Sequence, residues 1–83
     1  MAEQTYTGNV DTQGQFADLD TLTSLTFTNG KQYTIYVGGN GQVKVGDAVF
    51  PVNNQVFYWK PAGEKLKIKN NSNPFSITVY GEE

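Results

Sequence analysis

The side chains that do most protein chemistry are scarce in this chain. It has no histidine and no cysteine. That removes the commonest general base, the usual imidazole metal ligand, and every Ser-His-Asp, Cys-His or thiolate-zinc arrangement. Eight carboxylates remain: Glu3, Asp11, Asp18, Asp20, Asp47, Glu64, Glu82 and Glu83. A glycosidase-like pair needs two of them facing each other across a cleft. All fall in the polar N-terminal stretch, in expected turns or at the C-terminal end, where solvated surface charge is their ordinary role. Asp18-Leu19-Asp20 has the start of a calcium loop without its remaining ligands. Gly38-Gly39-Asn40-Gly41 has the look of a phosphate loop, but a strand follows it where such loops open a helix. The expectation is a protein with no catalytic, cofactor or metal residues, and not an enzyme.

One segment stands out from this background. Val56-Phe57-Tyr58-Trp59 is apolar at every position, whereas an antiparallel strand with one wet face alternates. Proline suits the first corner of a type I turn and glycine the left-handed residue after it, so Pro61-Ala62-Gly63 reads as a three-residue hairpin loop. That register sets Lys60 opposite Glu64, Tyr58 opposite Leu66 and Val56 opposite Ile68 on the inner face. Phe57 and Trp59 then point outward beside Lys65 and Lys67. These four are the candidate interface or binding residues. Three coverings suit them: the N-terminal stretch folded back, a neighbouring subunit anchored on the aromatics, or a stacked sugar or nucleobase.

The elements that position these residues read as short strands. From residue 22 to 80, apolar residues alternate with polar ones between Gly, Asn and Pro clusters, the pattern of an antiparallel domain. Thr28-Asn29-Gly30 and Gly39-Asn40-Gly41 have the same three-residue form as the proline turn, and so predict hairpins. The first sets Leu25 opposite Tyr33; the second sets Val37 opposite Val43 and Ile35 opposite Val45. Gly46-Asp47 reads as the next turn, and Pro51 marks an edge or a bulge. Leu66 and Ile68, then Phe75, Ile77 and Val79, give the inner positions of the closing strands. The expected fold is all-β: a small antiparallel sandwich or barrel of about seven short strands. Residues 1–20, with sparse apolar side chains, read as a polar N-terminal arm, and 21–83 as the β domain. Residues 16–22, which run past the end of the arm, have spacing for one helical turn.

Length and charge narrow the partners. At 83 residues without a disulfide the core is thin, and small unstapled domains often gain stability by associating. A homo-oligomer is therefore expected. The six basic residues are all lysine and the net charge is −2, a poor balance for gripping phosphates, so no nucleic-acid partner is expected. No run approaches the ~20 apolar residues of a membrane helix, and Met1-Ala2-Glu3-Gln4-Thr5 does not begin a signal peptide. The expectation is a protein made in the cytoplasm, with no membrane partner.

From Leu25 to Gly81 the chain resembles small β-rich accessory proteins of tailed-bacteriophage virions, the head-decoration, head-fibre and tail components. The likeness lies in Leu25-Thr26-Phe27-Thr28-Asn29-Gly30, in Tyr33-Thr34-Ile35-Tyr36-Val37-Gly38, and in a closing hairpin from Leu66–Ser72 into Phe75–Tyr80. Pro61-Ala62-Gly63 departs from the proline-glycine turn common before that hairpin. The resemblance implies a non-enzymatic capsid-decoration or head/tail accessory protein, located in the virion, that binds the major capsid or tail protein in several copies. The alternative is a glycan-binding sandwich module of an adhesive fibre, with Phe57 and Trp59 as its stacking aromatics.

Overall fold

A computed structural model describes residues 3–82. Its elements in chain order are β1 (Glu3–Val10), β2 (Ala17–Asp18), α1 (Leu19–Thr23), β3 (Tyr33–Val45), β4 (Ala48–Trp59), β5 (Leu66–Asn70) and β6 (Phe75–Glu82). All strand pairings among them are antiparallel. The protein is all-β, one small sheet curled into a half-barrel.

The curl comes from two long strands. β3 and β4 run 13 and 12 residues and are joined by Gly46-Asp47, across which Val45 faces Ala48. Gly46 has φ +59°, at the position where a type II′ hairpin turn calls for glycine. This turn is where the sequence places it. Each long strand then serves two layers. Residues 33–38 of β3 lie between β6 and residues 55–59 of β4, with β1 outside β6. Residues 41–45 lie between β5 and residues 48–52 of β4, with β2 outside β5. The two inner faces close on each other over Ile35, Val37, Val43, Ile68, Ile77 and Val79, all fully buried.

Four of the expected hairpins are absent, for one reason: the partners are not local. The closing one, from Leu66–Ser72 into Phe75–Tyr80, is among them, because β5 and β6 each pair with β3 and not with each other. Gly39-Asn40-Gly41 does not reverse the chain. It is the bend at which β3 leaves β6 and joins β5, and its glycines serve close approach rather than a turn. A Cβ on Gly41 would stand 2.2 Å from the Lys69 carbonyl oxygen and 2.7 Å from the Phe75 ring, and one on Gly39 2.4 Å from the Phe75 Cβ. All three separations are closer than a Cβ tolerates. Thr28-Asn29-Gly30 does form a turn, with Lys31 N–H donating to the Thr28 carbonyl at 3.2 Å and Gly30 at φ +84°. The residues before it make no ladder; Leu25 and Phe27 instead fold over the end of the core. Pro61-Ala62-Gly63 crosses between layers, so β4 and β5 are not paired with each other.

The N-terminal stretch is part of the fold, not an arm set apart from it. β1 pairs with β6 along all its eight residues, Val10 with Phe75 and Thr5 with Tyr80. Val10 and Leu19 are fully buried. The link between them is tied down by Asn70, whose Oδ1 accepts from Thr12 N–H at 2.6 Å and from its hydroxyl at 3.0 Å. Of the helical turn expected in 16–22, residues 19–22 are helical as part of α1, while 17–18 form β2; α1 is closed by Ser24 in the left-handed conformation and by its N–H bond to the Asp20 carbonyl at 2.8 Å. Residues 1, 2 and 83 of the proposed boundaries lie outside the described residues.

Candidate docking surface

The proposed quartet of Phe57, Trp59, Lys65 and Lys67 is divided by the fold. The β3–β4 register sets Trp59 opposite Tyr33 and Phe57 opposite Ile35, so both aromatics face inward. Trp59 is buried, with its ring 5.1 Å from that of Phe27 and 6.1 Å from that of Tyr33. Phe57 is half-buried against the core and meets Phe50 edge-on at 6.4 Å. Tyr58 and Val56 take the outer face, 66% and 49% exposed. The expected orientation is therefore reversed. Asn54 explains how. It has φ +47° and stands where the register slips, a single residue against Gly38 and Gly39 of β3, and there the alternation of β4 shifts by one. Inward positions are Ala48, Phe50 and Val52 before it, and Gln55, Phe57 and Trp59 after it. The expected Lys60–Glu64 pair is also absent: Glu64 Oε1 accepts the Ala62 N–H at 3.1 Å.

Lys65 and Lys67 stand outside the second layer, paired with acids from the N-terminal stretch. Lys67 Nζ donates to Asp18 Oδ1 at 2.6 Å and Lys65 Nζ to Asp20 Oδ2 at 2.9 Å. On the same face Lys69 lies over the Phe16 ring at 5.0 Å and Lys44 at 6.0 Å. The hydrogen bond and charge of Lys65 hold the Asp20 carboxyl below its ordinary pKa, and the same bond holds the Lys65 ammonium above its own. A depressed carboxylate stabilises the fold above its unfolded pKa and loses that contribution as pH falls through the folded value. Asp20→Asn should therefore flatten the acid side of a melting-temperature profile at low salt. Because the groups are exposed the effect is small, and it should fade when salt is added.

A cavity of about 250 Å³ opens at the end of the core between the 25–29 and 61–66 segments. Trp59 and Lys65 both line its wall. The two segments are stitched together by Gly30 N–H to the Pro61 carbonyl at 2.9 Å and Gly63 N–H to Asn29 Oδ1 at 3.0 Å. The polar groups around the opening are thus largely engaged with one another. Trp59 Nε1 is buried with no hydrogen-bond partner among the described residues.

The surface with more to offer is the outer face of the first layer. Register aligns Thr5, Tyr80, Thr34 and Tyr58 in one cross-strand row, and Thr7, Thr78, Tyr36 and Val56 in the next. Neither row holds a charge. Tyr36, Tyr58, Tyr80 and Val56 are each 39–66% exposed. This face ends at β4, whose other edge is unpaired among the described residues, since β4 pairs only with β3. Four of the six exposed large apolar residues, Val49, Phe50, Val56 and Tyr58, are on that strand. Alternation alone hides this surface, because β4 is apolar on both faces; the Asn53-Asn54 pair at its kink is the one sequence signal for it.

Neither a protein-family model nor a curated protein matches the chain. A solved structure does. The fold is similar to a de novo designed double-stranded β-helix determined by solution NMR, with a TM-score of 0.66, 15% identity, and coverage of 99% of this chain and 100% of that one. The likeness speaks to the fold alone, and agrees with two layers wound from one long hairpin. Among the described residues no helix is long and apolar enough to cross a membrane.

Proposed function

We propose that the chain is a non-enzymatic structural module that docks on an assembled surface in several copies, through the outer face of its first layer. The observation that carries this reading is the pair of uncharged rows bearing Tyr36, Val56, Tyr58 and Tyr80. Contiguous exposed apolar surface of this kind marks interaction sites, and tyrosine is enriched among interface anchors. The surface we infer is that of a tailed-phage particle, made by its major capsid or tail protein. The resemblance of residues 25–81 to phage accessory proteins supports that choice of partner.

The chain should co-sediment with purified particles, and a Tyr36→Ala/Tyr58→Ala/Tyr80→Ala variant should lose ~30-fold or more in affinity while keeping its circular dichroism and melting temperature. Binding by the triple variant equal to that of the parent chain would exclude this face. A second reading, a module for a neutral glycan, is favoured by the same flat tyrosine face. It differs in one outcome: tyrosine NMR resonances would shift on titration with free oligosaccharide, whereas docking on a protein surface predicts no response.

A further inference from the structure

The unpaired edge of β4 is self-complementary, and we propose that it pairs antiparallel with β4 of a second copy about a two-fold axis through Asn53. This deepens the reading of a multi-copy docking module and rests on it. Two-fold strand pairing requires a sequence that matches itself when reversed, with each pair on the same face of the sheet. In a regular strand, bringing Asp47 opposite Lys60 would set inward side chains against outward ones. The left-handed Asn54 removes that mismatch, because the alternation of β4 shifts there, halfway along.

With Asn54 left out of the ladder as a bulge in each copy, Asn53 faces Asn53 of the second copy. Moving outward, Val52 meets Gln55, Pro51 meets Val56, Phe50 meets Phe57, Val49 meets Tyr58 and Ala48 meets Trp59. Every pair shares a face. Asp47 and Lys60 are the sole charges from 47 to 60, and they fall opposite each other at the two ends. Neither forms an ion pair within its own chain among the described residues. Exposed edges are ordinarily guarded by charges along the strand; here the charges sit only where a second copy supplies the opposite sign.

Two features keep the pairing weak. Pro51 offers no N–H to the ladder, and the Asn53 N–H already donates to Gln55 Oε1 at 3.1 Å, a bond that pairing must release. Association should therefore depend on concentration, and be favoured where copies are held side by side on one surface. Val49 and Pro51 of one copy would extend the tyrosine face of the other at Tyr58 and Val56.

Sedimentation equilibrium of the full chain tests this. Asp47→Lys and Lys60→Asp should each weaken self-association about tenfold by opposing like charges, and the double variant should recover the parent value. The chain has no cysteine, so cross-linking is unambiguous. Asn53→Cys should form a disulfide dimer on oxidation, since facing residues lie within disulfide reach. Val49→Cys alone should not, but should link to Tyr58→Cys when the two variants are mixed. Circular dichroism at low concentration verifies that each variant is folded. A chain that stays monomeric at millimolar concentration overturns the proposal, as does a dimer indifferent to both charge reversals with no link at Asn53. In either case, tyrosine-dependent binding to particles would leave the docking reading intact, while a dimer of the stated register with no particle binding would overturn docking and keep the pairing.

Discussion

Trp59→Ala should strongly destabilise the isolated chain, whereas Tyr58→Ala should barely disturb it. Trp59 is 8% exposed and Tyr58 66%. Trp59 joins two rings, Phe27 and Tyr33, and Tyr33 in turn holds the overlying loop by accepting the Thr28 N–H at 2.8 Å. Removing the indole leaves a cavity and frees that loop, a loss of ~3–5 kcal/mol. An 83-residue chain has a total stability of only ~4–12 kcal/mol. Tyr58→Ala removes a ring that is mostly in water and should cost under ~1 kcal/mol. Trp59→Phe separates packing from the indole N–H. It keeps an aromatic ring against Phe27 and removes a buried donor with no partner, which itself costs ~1–3 kcal/mol. It should lie much closer to the parent chain than the alanine variant. Guanidinium titration followed by circular dichroism measures all three, since Trp59 fluorescence is lost with the residue. Equal losses for Trp59→Ala and Tyr58→Ala would mean that the strand is not held in this register.

The reversal at Tyr58 and Trp59 shows where sequence reading reaches and where it stops. Alternation makes Tyr33, Ile35, Val37, Val43, Val45, Leu66, Ile68, Phe75, Ile77 and Val79 inner residues; all are buried except Val45, which is half-buried against the core. These are strands with one polar face, where period and burial coincide. Val56–Trp59 has no polar face, so the local sequence orients it only through a hairpin at Pro61-Ala62-Gly63. Such a hairpin requires sequence neighbours to be spatial neighbours. In this fold β3 pairs with β4 locally but with β5 and β6 across long stretches of chain, and β1 pairs with the last strand. Glycine clusters carry the same ambiguity. Gly46 makes a turn and Gly41 admits a neighbouring backbone, and nothing in the local sequence separates the two. The docking face inherits this ambiguity, because its rows are assembled from strands that lie far apart in the chain.

Deleting residues 2–15 should abolish folding, the opposite of what a detached arm predicts. The deletion removes all of β1 from the outside of β6, so Tyr80, Thr78 and Ser76 lose Thr5, Thr7 and Asn9 as cross-strand neighbours. β6 would become a bare edge. Fully burying a side chain such as Val10 contributes ~1.5–3 kcal/mol, and the half-buried Tyr6 adds part of a similar amount. Thr12 goes as well. Asn70, 2% exposed, then loses both donors to its Oδ1 and the hydroxyl that accepts its own N–H at 3.2 Å. Leaving such buried groups unpaired costs ~1–3 kcal/mol. These terms together approach the whole stability expected for a chain of this size, before the lost β1 ladder is counted. The truncated protein should give poorly dispersed amide resonances and no cooperative melt. A subtler variant reaches the same point without deletion: Thr12→Val keeps the strand and its bulk and removes only the hydroxyl, and should lower the melting temperature modestly while leaving the fold intact. If the truncated chain instead melts cooperatively within a few degrees of the parent, β1 and the Thr12–Asn70 bonds contribute nothing to the core, and the N-terminal stretch is an arm after all.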